Sequence, residues 1–188
     1  MRIIAGRWRG RTLRAPKGHG VRPTSDRVRE SIFGILGARV AGAAVLDLFA
    51  GTGAMGLEAL SRGAAEAVLV EADAAACEVL RRNVDSLGAS EAEILRMDYR
   101  RALRFLESRG RRFRLLFLDP PYGKGIAARA AGEAASCGVA DGGATVVVEE
   151  AARSPIPEMP PGWDRADERL YGDTRVLLYE VSSGKENI

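Results

Sequence analysis

The motif with the clearest chemical content is Asp119-Pro120-Pro121-Tyr122, which ends an apolar run. The Asp119 carboxylate can accept hydrogen bonds, and the two prolines restrict the backbone beside it because their rings fix φ. The ring of Tyr122 offers a face on which a planar group can stack. An acceptor, a restrained backbone and an aromatic face at the end of a buried run indicate a binding site rather than an ordinary turn.

A second motif, DLFAGTGAMGLEAL, begins at Asp47 and contains Gly51, Gly53 and Gly56. These glycines follow a strand-like run and open a helix-like one, which is the context that makes a glycine pattern informative. Glycine allows the backbone to turn sharply while a ligand lies directly against it. Nicotinamide and flavin enzymes use the same pattern, and a tight turn without a ligand is a further interpretation.

Acidic residues around the glycines favour S-adenosylmethionine as the ligand. Asp47 lies inside a strand-like run, where a carboxylate is costly unless it serves a polar or cationic group, such as the methionine end of this cofactor. Glu71 follows Gly51 by twenty positions and can accept hydrogen bonds from both ribose hydroxyls. Asp98 can reach the adenine amino group or cap the next helix, and the two roles are compatible. We predict cofactor contacts from Asp47, Phe49, Gly51, Thr52, Gly53, Glu71, Asp98, Tyr99 and Asp119.

Strands that alternate with helices along the chain are expected to position these residues. Compact apolar runs predict strands buried on both faces of a parallel sheet, at Ala43–Phe49, Ala67–Glu71, Glu93–Met97, Phe113–Leu118 and Ala144–Glu149. Helical patterns lie between them, at Ala54–Ser61, Ala74–Leu87, Tyr99–Ser108 and Ile126–Cys137. This order predicts a doubly wound sheet that binds ligands at the carboxyl ends of its strands. The segment Asp167–Val181 predicts a C-terminal antiparallel hairpin around Gly172-Asp173.

The charge is concentrated at the amino end. The 188 residues carry a net charge of +3, but residues 1–30 hold nine Lys/Arg against two Asp/Glu. A basic front end suggests a polyanionic partner such as nucleic acid, although a merely solvated arm has the same composition. Within it we predict a small hairpin turned at Gly6 or Gly10, followed by a helix in RPTSDRVRESIFGIL.

Composition excludes several other classes of protein. The length suits one core, and two isolated cysteines with a single histidine argue against a disulfide scaffold or a Cys/His zinc site. The basic residues 1–18 lack the apolar centre of a secretion signal, and no apolar run approaches the roughly 20 residues needed to span a membrane. We therefore predict a cytoplasmic protein without a metal ion.

The two motifs together resemble those of amino-methyltransferases, which methylate an exocyclic nitrogen of a nucleobase. The front end is more specific: RIIAGRWRGRTLRAP and RPTSDRVRE, followed by DLFAGTGAMGLEALSRGA, VEAD and FLDPPY, closely resemble the RsmD family. That resemblance covers almost the whole chain. It implies a class I S-adenosylmethionine-dependent methyltransferase, α/β and Rossmann-like, acting on guanine N2 of small-subunit 16S ribosomal RNA in 30S particles.

The resemblance also implies roles for individual residues. Asp119 would accept one N–H of the amino group and the carbonyl of Pro120 the other, beside Pro121, with Tyr122 stacking on the base. Asp119 acts in this scheme as an acceptor rather than a strong base, because an unperturbed aspartate is weakly basic. We predict RNA contacts from Arg7, Trp8, Arg9, Arg11, Arg22, Thr24 and Arg27. The predicted division is a basic extension (1–40), a catalytic domain (41–182) and a tail (183–188), in a monomer.

Several alternatives stay open. The DPPY motif also serves DNA adenine-N6 and cytosine-N4 methyltransferases, although this chain has no room for a sizeable separate target-recognition domain. A nicotinamide-dependent oxidoreductase and a non-catalytic RNA-binding factor are two further classes. Asp26 and Glu30 either contact substrate or lock the extension onto the catalytic domain. A second basic run, Arg96–Arg114, is more typical of a solvated helix face than of an RNA contact.

Overall fold

The computed structural model describes residues 1–15, 26–121 and 125–183. Within these ranges the helices are α1 (Asp26–Leu36), α2 (Ala54–Ser61), α3 (Ala74–Leu87), α4 (Tyr99–Ser108) and α5 (Ile126–Ser136), and a 3-10 turn follows α1 at Gly37–Val40. The strands are β1 (Ala44–Asp47), β2 (Glu66–Glu71), β3 (Ala92–Arg96), β4 (Phe113–Leu118), β5 (Ala140–Ala151), β6 (Trp163–Tyr171) and β7 (Thr174–Val181).

The seven strands form one sheet in the order β3-β2-β1-β4-β5-β7-β6. The first five run parallel, β7 is antiparallel to β5, and β6 is antiparallel to β7. After α1 the chain enters the sheet at β1, the third strand in this order, continues outward through β2 to β3, and then returns to β4 on the other side of β1. This reversal makes the carboxyl ends of β1 and β4 the switch point at which doubly wound sheets bind ligands.

The predicted strands and helices are confirmed within a few residues at their ends. The largest difference is β5, which begins at Ala140 rather than Ala144 and pairs with β4 through a register shift near Phe113. The glycine pair at 142–143 lies in this exposed first part, so the apolar pattern that marks a buried strand starts only later. The predicted hairpin is also confirmed and extends back to Trp163.

Each face of the sheet carries its own apolar layer. On one face α1, α2 and α3 pack with one buried cluster, and on the other α4 and α5 pack with a second. The side chains of β1 and β4 alternate between them: Val45 and Phe117 join the first cluster, whereas Leu46 and Leu116 join the second. None of the helices in the described ranges is long and apolar enough to cross a membrane.

Helix α1 covers the sheet beside α2 and α3. Its apolar residues Val28, Ile32, Phe33 and Leu36 are buried in the same cluster as residues of β4, β5 and β7. The rings of Phe33 and Phe117 lie 5.8 Å apart, and Ser31 shares a hydrogen bond with Tyr171. Because α1 fills the layer over these strands, it contributes to the core of the sheet domain.

The first fifteen residues form the predicted hairpin. Ile3 N–H donates to the carbonyl of Arg11, Gly10 N–H donates to the carbonyl of Ile3, both at 2.9 Å, and a bridge joins Arg2 to Thr12. Gly6 and Gly10 each have a φ of 82°, which L side chains rarely adopt. Both glycines named by the sequence therefore take part in the turn.

Candidate active site

Hydrogen bonds to both neighbouring strands hold the loop after β1 at the switch point. Leu48 N–H donates to the carbonyl of Phe117 in β4 at 3.1 Å, and Ala50 N–H donates to the carbonyl of Val70 in β2 at 2.9 Å. The loop is thereby fixed between β2, which ends in Glu71, and β4, which Asp119 follows. Three predicted site carboxylates thus lie at the carboxyl ends of adjacent strands: Asp47 ends β1, Glu71 ends β2, and Asp119 follows β4.

The glycines of this loop serve two purposes: two of them allow close packing of α2, and one lies beside open space. A Cβ on Gly53, whose φ is 83°, would lie 2.4 Å from Cδ1 of Leu80, and a Cβ on Gly56 would lie 2.2 Å from Cδ2 of Leu69. These two glycines allow α2 to approach α3 and β2. Gly51 has a φ of 53°, and a Cβ there would meet no atom of the structure within 4 Å. Open space beside a left-handed glycine is what close approach of a ligand requires.

Asp47 is a buried carboxylate with an exposed fraction of only 2%. Its Oδ2 accepts a hydrogen bond from Gly56 N–H at 3.3 Å. Burial raises the pKa of Asp47 to about 7, and the nearby Glu71 adds to this, whereas backbone hydrogen bonds from Gly56 and Phe49 oppose it. A carboxylate in this position gains from a cationic neighbour, and its contact with the methionine end of S-adenosylmethionine stays a prediction.

Glu71 organises the glycine loop. Its Oε2 accepts from Gly51 N–H at 2.9 Å, and its Oε1 accepts from Asp73 N–H at 2.7 Å. Each carboxylate oxygen can accept more than one hydrogen bond, so hydroxyl donors can still be bound. Contact with a ribose stays a prediction, but the structure adds a role that the sequence did not suggest.

Asp98 is the N-cap of α4, and its Oδ1 accepts from Arg100 N–H at 2.9 Å. The capping interpretation is confirmed, and contact with an adenine stays a prediction. Beside it, the rings of Tyr99 and Phe49 lie 5.3 Å apart. Tyr99 is 7% exposed, and among the described residues its hydroxyl has no hydrogen-bond partner. A buried hydroxyl of this kind gains from a polar ligand atom.

The acceptor motif lies at the end of β4, between β1 and β5. Asp119 is half-buried, Pro120 is buried and Pro121 is exposed. The motif thus runs from the interior of the sheet to its surface within three residues. Tyr122 lies outside the described residues, so its predicted stacking role is not tested.

Asn83 is a site residue that sequence reasoning missed. It is fully buried in α3, and its Nδ2 donates to the carbonyl of Thr52 at 2.9 Å and to that of Arg14 at 3.1 Å. Its Oδ1 accepts from Arg14 N–H at 2.8 Å. Asn83 therefore ties the glycine loop to the end of the N-terminal hairpin. The only sequence signal was an amide among apolar residues on the inner face of α3.

A second missed group joins the hairpin to α2. Glu58 is fully buried and accepts from Ile4 N–H at 2.7 Å, from Ala5 N–H at 3.0 Å and from Arg62 Nε at 2.7 Å. The buried Arg29 places Nε 3.9 Å from Glu58 Oε2. Desolvation lowers the pKa of Arg29, and the nearby carboxylates oppose that shift. This cluster locks the extension onto the sheet domain.

Asp26 contacts the buried Arg29 of this cluster. Its Oδ1 lies 3.0 Å from Nη2 of Arg29, and its Oδ2 lies 3.8 Å from Nε of Arg2. Asp26 thus joins α1 to the hairpin within the predicted extension, and the two roles that the sequence left open for it stay predictions. Glu30 is exposed on the same helix.

Some of the residues predicted to contact RNA already pair with other residues of the protein, and others are exposed without an ion pair to any described residue. Arg7 pairs with Glu91 at 2.8 Å and stacks on Trp8, and Arg11 donates to the carbonyl of Ser86 at 2.6 Å. Arg9 and Arg27 are exposed and form no ion pair with any described residue. Arg22 and Thr24 lie outside the described residues.

Two arginines of the second basic run form ion pairs within the protein. Arg100 pairs with Glu133 at 3.0 Å, and Arg111 pairs with Glu66 at 2.9 Å and with Glu93 at 3.3 Å. These ion pairs support the interpretation of this run as a solvated surface.

Comparison with known proteins identifies the family. The model described as "Conserved hypothetical protein 95" matches residues 1–180. Ribosomal RNA small subunit methyltransferase D from Escherichia coli K12 is 38% identical over 187 residues, which cover 100% of this chain and 93% of that protein. The structure of yhhF from Escherichia coli, a candidate methyltransferase, has a TM-score of 0.86 at 37% identity and covers 97% of this chain and 98% of its own.

A more distant structure shares the fold alone. A candidate SAM-dependent methyltransferase from Streptococcus mutans has a TM-score of 0.69 at 14% identity, over 82% of this chain and 48% of its own. The predicted class I methyltransferase fold with a C-terminal antiparallel hairpin is confirmed by these structures and by the order of the sheet. From the match over almost its full length and the identity to the curated relative, the chain belongs to the RsmD family of methyltransferases.

Proposed function

We propose that this protein transfers a methyl group from S-adenosylmethionine to the exocyclic N2 of a guanine in 16S ribosomal RNA. The substrate is the assembled or assembling 30S particle, and the enzyme acts in the cytoplasm as a monomer without a metal ion. The observation that carries the proposal is the adjacency of two sites at the switch point. Asp47 ends β1 and the glycine loop follows it, and the acceptor motif with Asp119 follows the neighbouring strand β4.

The residues at this edge fit S-adenosylmethionine. The open space beside Gly51 suits a ligand close to the backbone, and the buried Asp47 suits the cationic amino group of its methionine part. Glu71 would hold the ribose, and Asp98, Phe49 and Tyr99 would hold the adenine. When bound, the cofactor supplies an electrophilic methyl group on a sulfonium.

The chain contributes orientation and charge rather than a covalent intermediate. The lone pair of an exocyclic amino group is delocalised into the base, so the nitrogen must be held with that lone pair facing the methyl group. Asp119 accepts one N–H and the Pro120 carbonyl accepts the other, and the negative carboxylate stabilises the positive charge that develops on nitrogen. The proton leaves the nitrogen after transfer, so Asp119 need not be a strong base.

The test is methyl transfer to undermodified small subunits, with mass-spectrometric mapping of the 16S RNA and duplex DNA as the competing substrate. We expect one guanine to gain an N2-methyl group. Transfer to adenine or cytosine in DNA, with none to the particle, would establish the DNA methyltransferase alternative.

Substitution of Asp119 tests its role as an acceptor. We expect Asp119→Ala to lower kcat by roughly 10³-fold or more because an essential charge-stabilising acceptor is lost. The affinity for S-adenosylmethionine, measured by calorimetry, should change only a few-fold. Asp119→Asn keeps an acceptor oxygen and should retain measurable transfer. An Asp119→Ala protein with wild-type kcat would refute the assigned role.

A further inference from the structure

Asn83 connects the two parts of the molecule that the proposed reaction has to use together, the glycine loop and the N-terminal hairpin. It is fully buried in α3. Its Nδ2 donates to the carbonyl of Thr52 in the loop at 2.9 Å and to the carbonyl of Arg14 after the hairpin at 3.1 Å. Its Oδ1 accepts from Arg14 N–H at 2.8 Å. Both N–H donors and the oxygen of the amide are therefore engaged with main-chain atoms of these two segments.

On the loop side, Asn83 holds the residue next to the open space beside Gly51. Glu71, at the end of β2, accepts from Gly51 N–H at 2.9 Å, and Asn83, in α3, donates to the carbonyl of the following residue, Thr52. The hydroxyl of Thr52 also lies 4.0 Å from the sulfur of Met1 in the hairpin. The orientation of the loop at the candidate cofactor site thus depends on Asn83 and on the hairpin beyond it.

On the hairpin side, the bond to Arg14 continues directly into the hydrogen bonds between the two hairpin segments. Leu13 N–H donates to the carbonyl of Met1 at 3.1 Å, and Ile3 N–H donates to the carbonyl of Arg11 at 2.9 Å. The side chains of Ile3 and Leu13 are buried in the core. The end of the hairpin that Asn83 holds is therefore joined through the main chain to the turn, which carries part of the predicted RNA contacts.

Burial makes the two halves of this bridge dependent on each other. If the hairpin end moves, Nδ2 and Oδ1 of Asn83 lose partners inside the protein, which is costly for a buried amide, and the amide must shift and release the Thr52 carbonyl. A ligand that holds one side in place therefore favours the bonded arrangement of the other side, and linkage makes this effect reciprocal. We propose that Asn83 is a positioning residue through which RNA bound at the hairpin strengthens binding of S-adenosylmethionine at the glycine loop, and the reverse.

This inference rests on the proposed function, because it takes the hairpin as an RNA-binding element. The test uses a 30S particle in which an abasic residue, introduced by splinted ligation and reconstitution, replaces the mapped target guanine. The abasic residue prevents methyl transfer and removes direct contact between the base and the methyl group. Equilibrium dialysis with radiolabelled S-adenosylmethionine gives its dissociation constant with and without saturating particle. Filter binding gives the dissociation constant of the particle with and without S-adenosylmethionine.

Arg14 offers a matched pair of variants because its bonds to Asn83 come from the main chain. Its side chain is exposed, so Arg14→Ala removes the charge and keeps the N–H that donates to Asn83. Arg14→Pro removes the same charge and also this N–H. Asn83→Ala removes the whole bridge. Any contact that the particle makes directly with the cofactor is the same for both Arg14 variants.

We expect the particle to lower the wild-type dissociation constant of S-adenosylmethionine by roughly fivefold or more, and the cofactor to lower that of the particle by the same factor. Arg14→Ala should keep this factor within about twofold, whereas in Arg14→Pro and Asn83→Ala it should fall below about twofold. A residue that only stabilised the fold would change the free energy of unfolding and leave the factor between the two ligands unchanged.

The outcomes separate the inference from the proposed function. A wild-type protein that binds both ligands with a coupling factor below about twofold would overturn the coupling, whether or not the variants fold. If Arg14→Pro keeps the full factor, or if Arg14→Ala loses it, the bridge through Asn83 does not carry the coupling. A wild-type protein that binds S-adenosylmethionine but not the particle would refute the proposed substrate, and this inference with it.

Discussion

At the scale of single residues, the ionisation of Asp47 couples the candidate cofactor site to pH. The pKa of this carboxyl is about 7 in the folded protein without ligand, against about 3.9 in an unfolded chain. Between these values the folded protein keeps a proton that the unfolded chain has released. The contribution of Asp47 to the free energy of unfolding therefore becomes less favourable as pH rises from about 4 to 7. A bound cation reverses this preference because it stabilises the ionised form.

The affinity for S-adenosylmethionine should follow this ionisation. With a pKa of about 7 for Asp47, we expect the dissociation constant at pH 6 to be about tenfold higher than at pH 8. Asp47→Asn should bind more weakly at pH 8 and lack this dependence. Calorimetric titration from pH 5.5 to 8.5 measures both. An equally steep pH dependence in Asp47→Asn would show that another group is responsible.

At the scale of elements, α2 is the attachment point of the whole front end. Its first half packs against β2 through Gly56, and its last turn holds the hairpin through Glu58 and Ser61. Ser61 accepts from Trp8 N–H at 3.0 Å and donates to the carbonyl of Ala5 at 2.6 Å. Because α2 also follows the glycine loop, a displaced hairpin would disturb the candidate cofactor site directly.

Two glycines of the hairpin form a matched pair that tests this attachment. Gly6 and Gly10 share a φ of 82°, but a Cβ on Gly6 would lie 1.8 Å from the carbonyl oxygen of Ser61, and a Cβ on Gly10 would meet nothing within 4 Å. We expect Gly10→Ala to lower the free energy of unfolding by about 1–2 kcal/mol through backbone strain alone. Gly6→Ala adds the clash and should cost roughly 3 kcal/mol or more.

Chemical denaturation of the two variants compares these costs, and limited proteolysis monitors detachment of residues 1–15. Cleavage in this range should increase for Gly6→Ala and remain at the wild-type rate for Gly10→Ala. Equal stability and equal cleavage of both variants would contradict the packing argument, since the two differ only in what surrounds the added methyl group.

At the scale of the whole molecule, the periodicity of apolar residues and the spacing of motifs predicted the strands, the helices and the edge of the sheet that binds ligands. Strands buried on both faces have continuous apolar runs, so their positions along the chain and the acidic residues at their ends could be predicted. The Glu58–Arg29 pair and the Asn83 bridge could not, because each links segments that only the folded chain brings together. Glu58 is 53 residues from Ala5, and Asn83 is 69 from Arg14. The charge of a residue likewise did not reveal whether a partner already engages it, as Arg7 and Arg9 illustrate.

The difference between arginines that are already paired within the protein and those that are not predicts which arginines bind RNA. Arg9 and Arg27 are exposed and unpaired with any described residue, so their substitution by alanine removes charge that phosphates can bind. Each substitution should weaken particle binding and reduce the slope of log affinity against log salt by about 0.7–0.9 per lost phosphate contact. Arg114 is a suitable control because it is equally exposed but lies near the amino end of β4, at the edge opposite the candidate active site. Binding measured from 50 to 300 mM salt should be unchanged in Arg114→Ala, and an equal loss in all three variants would mean that only net charge governs binding.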